Sequence, residues 1–159
     1  MNDAAPKIHP AAIVKKIEVS ASPERAFDVF ARHMGQWWHK EHSIARGTAQ
    51  KDVIVEPRAG GRWYELGADG SEHDWGEVIG YDPPRRLLLA WRLNREFVFD
   101  PELHTEVDVR FEPRGKGTLV RFEHRFLERM GEGTVEMLEG MDGGWGMLLD
   151  LFRARAEAG

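Results

Sequence analysis

Between Lys51 and about Thr134 the chain has no helical period, only short apolar runs separated by turn residues. That punctuation constrains the fold most, because short runs bounded by Gly, Pro, Asn and Asp read as strands. The runs predict six strands, at 52–56, 61–66, 75–81, 87–93, 103–111 and 118–126. Asp69-Gly70, Asp82-Pro83-Pro84 and Gly115-Lys116-Gly117 provide tight turns, so successive strands pair antiparallel. The run from 103 alternates most clearly, with Leu103, Thr105, Val107, Val109 and Phe111 set against His104, Glu106, Asp108 and Arg110. One face of that strand is expected dry and the other wet.

A sheet with one dry face needs a cover, and the two ends of the chain provide candidates. Near the N-terminus, residues 13–19 alternate as a half-buried strand. Ser22-Pro23-Glu24 then combines a capping hydroxyl, a proline at the first helical position and an acid at the positive helix end. The helix it starts carries Ala26, Phe27 and Phe30 and fades near Gly35. Trp37 and Trp38 follow in a second short segment, where one ring is expected to pack and the other to border a cavity or solvent. At the C-terminal end, Trp145, Leu148, Leu149 and Phe152 form one stripe of a long helix. Gly140, Gly143, Gly144 and Gly146 weaken that helix by about 1 kcal/mol each relative to alanine. Either its start is a flexible entry, or the missing side chains allow close approach or leave room for a ligand.

Composition narrows the function classes. At 159 residues, with 42% hydrophobic and 31% charged residues, the chain suits one globular domain over 11–159 behind a loose leader over 1–10. No cysteine occurs, which excludes disulfides and thiolate chemistry. With 22 Lys+Arg against 27 Asp+Glu, the net charge of −5 has the wrong sign for neutralising phosphates, so no nucleic-acid partner is expected. The Arg85, Arg86, Arg92 and Arg95 cluster reads as a solvated strand face. No signal-like or membrane-length apolar run stands out, so a cytoplasmic location without membrane insertion is expected.

Several motifs in order, Ser22-Pro23-Glu24-Arg25-Ala26-Phe27, Trp37-Trp38, Gly60-Gly61-Arg62-Trp63, Pro83-Pro84-Arg85-Arg86-Leu87, Trp91, Gly117-Thr118-Leu119-Val120, His124 and Gly144-Trp145, resemble one known family. It is the family of homologues of the activator of the ninety-kilodalton heat-shock protein's ATPase, within the START and Bet v 1-like (SRPBCC) superfamily. The likeness runs over about residues 11–156. It implies an α+β helix-grip fold: a strongly curved antiparallel sheet of about seven strands around a long C-terminal helix, with two short helices after the first strand. It also implies a cavity between sheet and helix, without implying one activity. Members of the superfamily bind lipids, sterols, hormones or polyketides, and some catalyse cyclisation or hydrolysis. Eukaryotic activators add an N-terminal domain that the ten leading residues are too few to form, so chaperone activation is the minor expectation here.

Strand parity nominates the lining. On the last strand Val120, Phe122, His124 and Phe126 share a face taken as inward. Trp63 and Glu65 share another, as do Trp75, Glu77, Ile79 and Tyr81. The expected ligand-binding set is Trp38, Trp63, Glu65, Trp75, Glu77, Trp91, Phe122, His124, Trp145 and Leu149. Competing readings stay open: His124 as a core histidine, Glu65 and Glu77 as solvent-facing, the tryptophans as plain core. His39 and His42 lack a third metal ligand, Ala59-Gly60-Gly61-Arg62 lacks the lysine and hydroxyl of a phosphate loop, and no Ser-His-Asp set can be assembled. No metal or cofactor is therefore expected. The leading expectation is a module binding a small apolar or aromatic molecule; the alternative is an enzyme using His124 or a buried glutamate as proton carrier. A homodimer and a chaperone contact stay open.

Overall fold

Strand β1 (Ile13–Val19) is followed by helix α1 (Pro23–Phe27), which continues as a π-helical turn over Asp28–Arg32, and by α2 (Met34–Trp37). The remaining strands are β2 (Gln50–Val55), β3 (Arg62–Gly67), β4 (Glu72–Asp82), β5 (Arg86–Trp91), β6 (Thr105–Arg114) and β7 (Gly117–Arg125). A short 3-10 turn, Leu127–Met130, leads into α3 (Thr134–Glu157). This computed structural model describes residues 12–131 and 134–158, without the side chains of 134 and 135; the expected leader lies outside them. The strands form one antiparallel sheet in the order β1-β7-β6-β5-β4-β3-β2. This is the helix-grip α+β architecture, and the expected strand bounds hold to within a few residues.

Local chemistry accounts for the elements. Ser22 Oγ accepts from Arg25 N at 3.1 Å and caps α1, with Pro23 in its first turn. Gly70 and Gly115 adopt φ of 88° and 59° at hairpin turns, the left-handed region that a Cβ disfavours. Pairing slips twice along β4, leaving Trp75 and Ile79 as extra residues against β3 and β5. Such bulges bend the bulged strand and increase its twist, which curls the sheet towards α3. Gly76 permits the first of them, since a Cβ there would run into the Ala90 carbonyl.

The core lies between the concave face and the helices. Phe30 packs edge-on against Phe111 and Phe152, and Trp37 against Phe152. All four residues of the expected α3 stripe, Trp145, Leu148, Leu149 and Phe152, are buried. No described helix is long and apolar enough to cross a membrane.

Three expectations about facing need correction. Glu77 lies on the convex face and pairs with Arg92 at 2.8 Å, because the bulge at Trp75 reverses the parity that would have sent it inward. Asp108, assigned to a wet face, is only 4% exposed. The Arg86 and Arg125 guanidiniums cover it at 2.8 and 2.9 Å; although burial pushes its pKa up, their hydrogen bonds hold the carboxyl below its ordinary range. Phe126 falls past the end of β7 at φ 66°, where Arg129 lies over its ring at 4.3 Å.

Candidate functional site

A pocket of about 640 Å³ opens between the sheet and the N-terminal half of α3. Three stretches build it: the α2–β2 connection with Trp38 and residues 41–46, the ends of β4 and β5 with Trp75, Trp91 and the following Leu93, Glu96 and Phe97, and α3 with Met137, Gly140, Met141, Gly144, Trp145 and Leu148. Gly140 and Gly144 are one helical turn apart, and a Cβ on either meets nothing within 4 Å. Of the three roles open to the α3 glycines, flexible entry, close approach and room for a ligand, room is the one this geometry supports at Gly140 and Gly144.

Four tryptophans form the floor. Ring centroids run 4.8 Å from Trp38 to Trp75, 6.4 Å from Trp75 to Trp91, 5.8 Å from Trp91 to Trp145 and 5.7 Å from Trp145 back to Trp38. Every one of the four indole N–H groups is taken by the protein. Trp38 donates to the His42 carbonyl at 3.0 Å, Trp91 to the Leu93 carbonyl at 3.0 Å, Trp75 to Glu65 at 3.2 Å and Trp145 to His124 Nδ1 at 3.1 Å. Carbon is therefore what the floor presents.

Two buried polar groups hold that floor. His124 has no exposed surface, and its proton can be placed by elimination. The Trp145 indole can only donate, so His124 Nδ1 is an acceptor and the proton sits on Nε2. Nε2–H then donates to Thr105 Oγ1 at 3.0 Å, whose hydroxyl donates to the Trp91 carbonyl at 2.8 Å. Burial lowers the His124 pKa to about 3, so the ring stays neutral. Glu65, equally buried, accepts from Ser43 Oγ, from Ile44 N at 2.9 Å and from the Trp75 indole. One carboxylate thus positions both a floor ring and the loop that forms the pocket lip.

Among the expected site residues, Trp38, Trp75, Trp91 and Trp145 line the pocket. Trp63, Glu65, Phe122, His124 and Leu149 are buried but absent from its lining, filling the inner end of the hollow beneath the floor. Glu77 is on the far side of the sheet. Of the two adjacent rings, one expected to pack and the other to border a cavity or solvent, Trp37 donates to the Val29 carbonyl at 3.0 Å in the core, while Trp38 borders the pocket. The mouth was missed: Glu41, His42, Arg46, Glu96 and Phe97, with Met137 and Met141 above them. The adjacent polar run His39-Lys40-Glu41-His42 was the available signal, but charge without periodicity does not say which way a loop faces.

Partial burial, then the neighbouring His39 with its ring 5.2 Å away, lower the His42 pKa, against an opposing pull from Glu41. Its imidazole is thus biased towards the neutral form, able to exchange a proton at the mouth. Among the described residues no three metal-ligating side chains are gathered.

The chain matches the family described as "Activator of Hsp90 ATPase homolog 1-like protein" over residues 20–157. Among solved structures it is similar to an anthrahydroquino-Gama-pyrone synthase, Txn09, complexed with SUM, at 33% identity over 90% of this chain and 95% of that one, TM-score 0.63. It is also similar to CalC, a self-sacrificing resistance protein from Micromonospora echinospora, at 29% identity over 91% and 93%, TM-score 0.66. The Aha1 dimer from Colwellia psychrerythraea shares the fold at 18% identity over 93% and 97%, TM-score 0.65. No curated protein matches the chain.

Proposed function

The chain belongs to the Activator of Hsp90 ATPase homolog 1-like protein family, and we propose that it binds a small apolar or aromatic molecule between the sheet and α3. One observation carries this reading. A pocket of about 640 Å³ stands over a floor whose indole N–H groups are all hydrogen-bonded within the protein, beneath a helix with glycine where side chains would fill the space. That volume lies within the usual range for small-molecule sites, roughly 300–1,000 Å³. A floor of carbon favours ligands with flat apolar surface, because a polar group placed there would lose its water without gaining a partner. Met137 and Met141 suit the opposite wall, since unbranched thioethers adapt to varied shapes. The test is a thermal-shift and native mass-spectrometry screen against a metabolite library: aromatic and apolar compounds should raise the melting temperature at one-to-one stoichiometry. A flat response throughout refutes the reading.

A second reading, a ring-forming or hydrolytic enzyme, draws support from the likeness to a synthase at 33% identity. In that case His42 is the better proton carrier, because it borders the pocket, whereas both ring nitrogens of His124 are engaged below the floor. Turnover that survives His124→Gln but fails in His42→Gln, with binding intact in both, is the expected result. The chaperone contact rests on the family description alone.

A further inference from the structure

We propose that Arg46 selects an acidic group on the ligand, so that the pocket takes aromatic or ring-bearing weak acids in their ionised form; this rests on the small-molecule reading above. Arg46 differs from the other described arginines in having no partner within the protein. Among the described residues each of the others is engaged: Arg86 and Arg125 by Asp108, Arg62 by Glu72 and Asp74, Arg92 by Glu77, Arg155 by Gln36, and the rest likewise. Arg46 has neither a hydrogen bond nor an ion pair, and it lines the pocket.

The other mouth charges do not weigh equally. Glu41 and Glu96 also lack ion-pair partners, but so do Glu24, Glu102 and Glu128, which lie outside this pocket, so a free carboxylate is ordinary in a chain of net charge −5. A free guanidinium is not. Since the floor offers no donor, a polar group on the ligand can be read only at the mouth, and Arg46 is the standing cation there. Its planar fork of N–H groups fits a carboxylate or sulfonate oxygen pair better than a neutral carbonyl. Apolar rings on the indoles and an anion at Arg46 are thus two ends of one ligand.

The test uses two fluorescent probes with the same ring skeleton: N-phenyl-1-naphthylamine, which is neutral, and 1-anilinonaphthalene-8-sulfonate, which adds one anionic group. Both are titrated into wild type, Arg46→Gln, Arg46→Glu and the pocket-filling Gly144→Leu. In Arg46→Gln the sulfonate should bind about fivefold more weakly, an exposure-discounted charged hydrogen bond, with the neutral probe unchanged. Arg46→Glu should widen that gap, and added salt should weaken the sulfonate in wild type but not in Arg46→Gln. If both probes bind wild type and are blocked by Gly144→Leu, yet Arg46→Gln changes both alike or neither, the arginine inference fails and the pocket reading stands. If neither probe binds wild type, or Gly144→Leu affects neither, both fail together.

Discussion

The floor and the mouth of the pocket follow opposite rules. On the floor every polar atom that could face a ligand is tied off: four indole N–H groups, both His124 ring nitrogens and the Glu65 carboxylate have partners within the protein. At the mouth Glu41, Arg46 and Glu96 have side chains with no such ties, and Phe97 is 51% exposed at φ 60°. Affinity and selectivity accordingly reside in different parts of the pocket. A satisfied, close-packed floor contributes apolar surface and rigidity, while discrimination between ligands falls to the loop residues and to the glycine-bearing turn of α3.

Substitutions that break the floor should have the largest effect. Trp145→Ala removes a buried ring and the donor to His124 Nδ1, so a loss of about 3–5 kcal/mol is expected from urea unfolding; a loss below about 1 kcal/mol would mean the floor is not the rigid part. Glu65→Ala comes next, because it strands the Ser43, Ile44 and Trp75 donors, at a cost of roughly 2–4 kcal/mol. Hydrogen exchange at the Ile44 amide should accelerate in that variant, showing that the lip loosens with its anchor.

The third effect is set by pH. His124 is held at about 3 in the folded protein, below its ordinary 6.5, so the unfolded chain takes up a proton that the folded chain refuses. Stability is therefore full above about pH 6.5 and falls as pH drops, by about 1.4 kcal/mol per unit down to the folded value. Read between about pH 6.5 and 5.5, above the range in which the unfolded chain begins to protonate Asp108 and Glu106, whose folded pKa values are lowered, that slope should flatten in His124→Gln. An equal slope in the variant would place the titration elsewhere. The smallest change concerns the helix between the two pocket glycines: Gly143→Ala, whose Cβ meets nothing within 4 Å and which does not line the pocket, should stabilise α3 by about 0.5–1 kcal/mol.

The sheet and the closing helix were legible because periodicity reports them directly. Trp145, Leu148, Leu149 and Phe152 fell on one stripe, and Phe122 and His124 faced inward as their strand parity required. Parity failed where the chain inserts a residue: the bulge at Trp75 leaves Trp75 inside and turns Glu77 out, and the lone Gly76 within the strand was the local sign of it. Asp108 misled for another reason, since its burial comes from arginines on β5 and β7 that long-range pairing brings over it. The mouth was hidden most completely. Residues 41–46 have no period, and the position of the lip depends on a carboxylate more than twenty residues away in sequence.

If the ligand-sized space above the tryptophans is open to occupation, those tryptophans should transfer energy to bound N-phenyl-1-naphthylamine. Wild type should show saturable one-site transfer, and Gly144→Leu, folded and with a stronger helix, should abolish it by filling the space. No transfer in wild type, or equal transfer in both proteins, would mean that no such ligand space exists.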